Sequence, residues 1–210
     1  MKITLYDYWR SSASYRVRIA LELKGVAYDR VDVNLIDGSQ RSDANRARNA
    51  QGFVPTLEVD GRPLMQSLAI IDWLDANFPE PPMVDRDPFV RAGQLARALV
   101  IAADIHPLDN LRVLKRLETQ FGADEAARDD WYRHWIVEGL DALEAMAVDN
   151  GRFLGGDSPD ISDVCLVPQL YNARRFDLDP ARWPALARAE AAMLALPAVQ
   201  AAHPDRAKAS

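Results

Sequence analysis

The sequence predicts two structural classes in one chain, an α/β domain first and an all-α domain after it. Three observations carry this. Strand-like alternation stops at Met65. Three prolines in the four residues Pro79-Glu80-Pro81-Pro82 then end a helix and stiffen the chain. Beyond them only helical spacing of apolar residues recurs. The expected division is 1-79 for the α/β domain, 80-86 for a linker and 87-210 for the all-helical domain. A chain of 210 residues is long enough for two real cores.

In the first domain, Ile3, Leu5 and Asp7 alternate with Thr4, Tyr6 and Tyr8, which predicts a strand. Ser11 and Ser12 are good N-cap types. Tyr15, Ile19, Ala20 and Leu23 follow at near-helical spacing, and Gly25 is a natural stop. Val26 to Val33 reads as a second strand, so the first two strands should be parallel with a right-handed crossover. Leu35 to Ala50 is polar and weakly patterned, consistent with a short irregular helix or a loop. Phe53 to Val59 is a third strand, Asp60-Gly61 a tight turn, and Arg62 to Met65 its antiparallel return. Pro55 lacks a backbone donor, so the third strand should begin at a sheet edge or an open position. Ser67 is the expected N-cap of a helix through Leu74.

In the second domain, Asp87-Pro88 is a cap followed by a proline suited to the first helical position. Pro107 should kink or break the long segment that follows. Asp124 opens a further helix carrying Trp131 and Trp135. Residues 151 to 157 read as a loop. Asp160 and Asp163 have capping-box spacing before the apolar run Val164-Cys165-Leu166-Val167, which should be deeply buried. A last helix spans about Pro184 to Leu196, and the tail after His203 should fray. His134 and His203 read as structural.

Composition narrows function. A net charge of -6 argues against nucleic acid as a partner. The single cysteine, Cys165, leaves no intrachain disulfide and no multi-cysteine metal site, so no metal is expected. The opening residues lack a leader's apolar run and no stretch is apolar enough to span a membrane. A cytoplasmic protein without a membrane partner is expected. Against the acidic balance, Arg10, Arg16 and Arg18 cluster where the first helix begins. A helix N-terminus presents free N–H groups and positive potential, so this end suits an anion. The plainer alternative is a capped helix with a solvated basic face.

The run from Arg10 to Leu21, Arg-Ser-Ser-Ala-Ser-Tyr-Arg-Val-Arg-Ile-Ala-Leu, resembles the signature of zeta-class glutathione transferases. That signature is serine-serine-cysteine followed, two residues later, by an aromatic, arginine, valine and arginine. Similarity recurs in order at Val33-Asn34-Leu35, Val54-Pro55-Thr56-Leu57, Gln66 to Ile71, His106 to Leu111, and Val167 to Leu170 with Asn172 to Phe176. It therefore covers nearly the whole chain. The resemblance implies a glutathione transferase fold, with an N-terminal thioredoxin-like domain and a C-terminal helical domain. It implies a glutathione-dependent cis–trans isomerase acting on maleylacetoacetate or maleylpyruvate, and a homodimer. A general glutathione transferase or dehalogenase is the alternative, and a non-catalytic interaction module a third reading.

The chemistry fits such residues. A carbon–carbon double bond does not rotate until its π bond is broken. A thiolate that adds beside a conjugated carbonyl leaves a single bond, and its elimination restores a trans alkene. A free thiol has a pKa of about 8.5, so it must be activated. By resemblance Ser11, with Ser12 beside it, supplies the activating hydroxyl. Tyr8 is the rival, because other classes use a tyrosine near the end of the first strand. The resemblance assigns the glutathione cradle to Ser11, Ser12, Gln40, Val54 with a cis Pro55, Gln66 and Ser67. It adds His106, Asn110 and Arg112 from the helical domain. Arg10 and Arg175 are the candidates for the two carboxylates of a small dicarboxylate substrate, since arginine binds carboxylates bidentately. Arg174 is a second choice. The signature cysteine is replaced by Ala13. Glutathione brings its own sulfur, so isomerisation should survive the loss.

Overall fold

The computed structural model describes residues 1–149 and 151–208. The chain forms two compact units. One is Met1–Pro82 together with the described residues from Leu194 onward, and the other is Met83–Met193.

The first unit holds a four-stranded sheet in the order β2-β1-β3-β4. The strands are β1 (Ile3–Asp7), β2 (Asp29–Asp32), β3 (Thr56–Val59) and β4 (Arg62–Met65). β1 runs parallel to β2 and antiparallel to β3. Leu5 of β1 faces Leu57 of β3, which in turn faces Leu64 of β4. Helices α1 (Ser12–Leu23) and α3 (Ser67–Asn77) pack beside each other, and Leu5, Val17, Ile19, Leu57, Ile70 and Leu74 are wholly buried. Between β2 and β3 lie a 3-10 turn (Ser39–Arg41) and the short helix α2 (Asp43–Arg48). That is the weakly patterned stretch of the sequence.

Three expectations for this unit are narrowed or corrected. β3 lies inside the sheet, so of the two starts expected, an edge or an open position, it takes the second. It escapes Pro55 by beginning one residue later, at Thr56. β2 is shorter than Val26 to Val33 because pairing with β1 is confined to Asp29–Asp32. Ser67 is the first residue of α3, not its cap. The cap position is Gln66, held at φ 69° and ψ 118° with no side-chain capping bond.

The second unit is helical. It contains α4 (Pro88–Leu99), the short α5 (His106–Leu108), α6 (Leu111–Phe121), α7 (Glu125–Ala145), α8 (Ile161–Arg174) and α9 (Pro184–Leu194). Asp87 caps α4 with Pro88 at the first helical position. Pro107 acts as expected, and its effect begins upstream. Val100–Ile105 widens into a π-helix, and Asn110 then caps a new helix. α8 forms the core, with Val164, Cys165, Leu166 and Leu170 fully enclosed. Its capping box is reciprocal: the Asp160 carboxylate accepts from Ser162 N, and the Asp163 carboxylate accepts from Asp160 N. Asp163 Oδ1 also accepts from Leu154 N at 2.9 Å, which ties the preceding loop to the helix. Burial and the neighbouring Asp160 push the Asp163 carboxyl up to about 7.

The largest correction concerns the end of the chain. The expected helical domain 87-210 does not keep its last residues. α10 (Pro197–Ala201) and α11 (Pro204–Ala207) pack with the sheet-containing unit, α10 directly on α1. The cause is two buried or half-buried arginines seeking acceptors. Arg18 Nε donates to Ala202 O at 3.0 Å, and Arg30 Nη2 to Ala207 O at 2.7 Å. Residues 204 to 207 are therefore helical rather than frayed, and residues 209 and 210 lie outside the described ones. His203 is a cap within it, its Nδ1 accepting from Asp205 N, and its ring meets Tyr15 edge-on at 6.2 Å.

Candidate active site

The α1 end is built around one hydroxyl. Ser11 is the N-cap in extended conformation, and its Oγ accepts from Ser14 N at 3.2 Å. A serine hydroxyl has one proton and two lone pairs. Accepting the capping bond leaves the proton available to a further acceptor. Ser11 is half-buried, whereas Ser12 is buried and the Tyr8 hydroxyl is sealed from solvent with no hydrogen-bond partner among the described residues. Ser11 is thus the accessible hydroxyl of the three.

The basic cluster separates into three different groups. Arg10 is exposed and lies 5.5 Å from the Trp9 ring centre. Arg16 is buried and its Nη1 donates to Ser67 Oγ at 3.4 Å, which links α1 to the start of α3. Arg18 is buried and committed to Asp7 at 2.6 Å. The solvated basic face is therefore wrong for Arg16 and Arg18. Asp7 was the signal that could have revealed this. It continues the buried side of β1 after Ile3 and Leu5, and a buried carboxylate requires a cation. Arg30 supplies a second one, at 3.1 Å from Asp7 Oδ1.

At the start of α3, Gln66 lends no side-chain cap, so the first N–H groups of the helix retain their anion-binding capacity. Gln66 Nε2 instead donates to Gln51 Oε1 at 2.7 Å, a partner that sequence reasoning missed. The Val54–Pro55 peptide is cis. Gln40 sits on the 3-10 turn, with its carbonyl accepting from Asn45 Nδ2 at 2.8 Å and its Oε1 buried without a partner among the described residues. Gly52 permits that loop to close. It has φ +65°, and a Cβ there would lie 3.1 Å from Gln40 O.

In the helical unit, His106 Nδ1 lies 4.0 Å from the buried carboxylate of Asp109. Asn110 Oδ1 is engaged as the cap of α6, accepting from Arg112 N at 3.1 Å. Arg175 is exposed, donates to Asn172 Oδ1 at 3.2 Å, and has no carboxylate partner among the described residues. Arg174 differs from its neighbour. It grips the buried Glu190 through both terminal nitrogens, at 2.6 and 2.5 Å. That pairing holds its guanidinium pKa above the ordinary value. Among the described residues no group of His, Cys, Asp and Glu could hold a metal ion, and no helix is long and apolar enough to cross a membrane.

The family models for the glutathione S-transferase N-terminal domain and C-terminal domain match residues 5–82 and 111–204. The chain belongs to the glutathione S-transferase family. It is 48% identical over 207 residues to maleylacetoacetate isomerase of Rhizobium meliloti strain 1021, covering 97% of both chains. Among solved structures, it superposes with a TM-score of 0.94 on the holo form of a bacterial zeta-class maleylpyruvate isomerase. That protein is 42% identical, with 97% of each chain covered. It matches maleylacetoacetate isomerase of Methylobacterium extorquens AM1, solved with malonate and glutathione, with a TM-score of 0.92 at 39% identity and the same coverage.

Proposed function

We propose that this chain is a glutathione-dependent cis–trans isomerase that converts maleylacetoacetate to fumarylacetoacetate, with maleylpyruvate as the alternative substrate. The observation that carries the reading is the Ser11 hydroxyl, which accepts its helix-capping bond and keeps its proton for an anion. Glutathione fits the first unit on three counts. The proton of Ser11 suits its sulfur, the uncapped start of α3 with Ser67 suits its γ-glutamyl carboxylate, and the orphaned Gln40 Oε1 suits an N–H donor. When bound, glutathione supplies the sulfur that adds reversibly beside the substrate's conjugated carbonyl.

The residues divide the remaining work. Ser11 donates to the sulfur and, with the α1 N-terminus, favours its anionic form. Ser12 supports it, and the Val54 backbone beside Pro55 orients the cysteinyl segment. Gln66 and Ser67 hold the γ-glutamyl end, and Gln40 the glycine end. His106 and Arg112 contribute from the helical unit. Asn110 does so only indirectly, because its side chain caps α6. Arg10 and Arg175, both exposed and without carboxylate partners among the described residues, bind the substrate's two carboxylates.

In this reading the segment 1-79 is the glutathione-binding part and 87–193 the substrate-binding part. The protein works as a homodimer in the cytoplasm, where reducing conditions keep glutathione a thiol. The exposed Phe89 and Val90 of α4 support an association surface. The test is conversion of maleylacetoacetate, and separately of maleylpyruvate, with and without glutathione. Glutathione-dependent turnover is expected, and the ratio of kcat/KM values assigns the substrate. Turnover of neither, by folded protein that binds glutathione, would overturn the reading in favour of general conjugation.

A further inference from the structure

The turn that carries Arg10 is held from an unexpected direction, the end of the chain. The Arg18 guanidinium joins three segments. Nη1 meets Asp7 Oδ2 at the end of β1 at 2.6 Å, Nη2 meets Trp9 O at 2.9 Å, and Nε meets Ala202 O at 3.0 Å. The other oxygen of Asp7 takes Arg30, whose Nη2 reaches Ala207 O at 2.7 Å. The next residue, Lys208, brings its ammonium to 5.3 Å from the Trp9 ring centre. Arg10 lies 5.5 Å from the same centre. The C-terminal segment therefore reaches the residue just before Arg10 in two ways, its carbonyl through the Arg18 guanidinium and its ring directly through Lys208.

We propose that Arg18 and Trp9 are positioning residues through which the C-terminal segment 197–208 sets the placement of Arg10 for a dicarboxylate. This rests on the reading of Arg10 as a carboxylate ligand. An exposed arginine has many rotamers, and binding a planar carboxylate requires one of them. A fixed Trp9 restricts the choice in two ways. Its carbonyl is clamped by a charge already neutralised by Asp7, and its indole gives the Arg10 guanidinium a face to lie against. Arg18 is too deeply buried to touch a ligand itself.

Malonate, a dicarboxylate with no reacting double bond, is the probe. Its affinity for the full-length, glutathione-saturated protein is measured by calorimetry, alongside the affinity for glutathione alone. Three variants are compared. Arg10→Ala is expected to weaken malonate by about tenfold or more. Arg18→Lys keeps the buried charge and loses the three-way clamp, and should weaken malonate by about tenfold. Trp9→Leu keeps every charge and should weaken it by roughly threefold. Glutathione affinity should stay within about twofold in all three, since none of these three side chains is assigned to its cradle. A merely structural role would lower the melting temperature without this split. If Arg10→Ala loses malonate while Arg18→Lys and Trp9→Leu bind it as wild type does, the inference is overturned and the reading of Arg10 stands. If Arg10→Ala binds malonate normally, both fall. If Arg18→Lys fails to fold, Trp9→Leu on its own decides.

Discussion

Replacing Ser11 with alanine separates two jobs that one atom performs. Ser11 Oγ accepts from Ser14 N at 3.2 Å, so its loss uncaps α1 and should cost about 1 kcal/mol of stability. Its proton is proposed to stabilise the glutathione thiolate, and a hydrogen bond to a charged group contributes roughly 1.5–3 kcal/mol. At about 1.4 kcal/mol per pKa unit, the bound thiol should rise by roughly one to two units in Ser11→Ala. The helix end remains and keeps its smaller share of roughly 0.3–1 kcal/mol. Turnover near pH 7 should fall by about tenfold and recover as the pH passes roughly 8, because only the ionisation is impaired. The assay is ultraviolet titration of thiolate absorbance in the glutathione complex, paired with the pH dependence of kcat/KM. Tyr8→Phe is the control. Its hydroxyl is sealed with no partner among the described residues, so removal should leave both the thiol and the stability nearly unchanged. A raised thiol pKa in Tyr8→Phe with none in Ser11→Ala would refute the argument and move the role to Tyr8.

The Asp163 carboxyl titrates near 7 in the folded chain and near 3.8 as an ordinary aspartate. Between those values the folded state binds the extra proton, so this group makes stability fall as the pH rises from about 4 to 7. Asp163→Asn should flatten that fall, read as the difference in melting temperature between variant and wild type across the range. Arg174→Ala should lower the melting temperature by leaving Glu190 buried and unpaired, with KM for the dicarboxylate unchanged. Arg175→Ala should raise that KM by about tenfold with little effect on melting. Gly139→Ala places a Cβ 2.2 Å from Ile105 Cγ1, where α7 packs on the π-helical segment. Chemical denaturation should register a loss of about 1–3 kcal/mol.

Much of this was legible because local chemistry and tertiary need agree. Ser11, Asp87, Asp124 and Asp160 all cap the helices their spacing announces. Pro107 disturbs the helix where its missing N–H requires it. What was not legible depends on distant partners. Arg16, Arg18 and Arg10 look alike in a string, and only the fold decides which meets Ser67, which meets Asp7 and which meets solvent. Gln66 could not be recognised as a cap residue, because its positive φ contradicts its local preference. Arg174 and Arg175 differ only through Glu190, sixteen residues away.

The return of the last helices to the first unit bears on how the protein is made. Synthesis is vectorial, and N-terminal domains ordinarily fold while the rest of the chain is still emerging. Here the leading unit lacks the carbonyls of Ala202 and Ala207 until the helical unit has been synthesised. Arg18 and Arg30 wait on the ribosome with one acceptor each unfilled, and the whole helical unit is threaded out before they are satisfied. Completion of the leading unit thus follows emergence of the helical one.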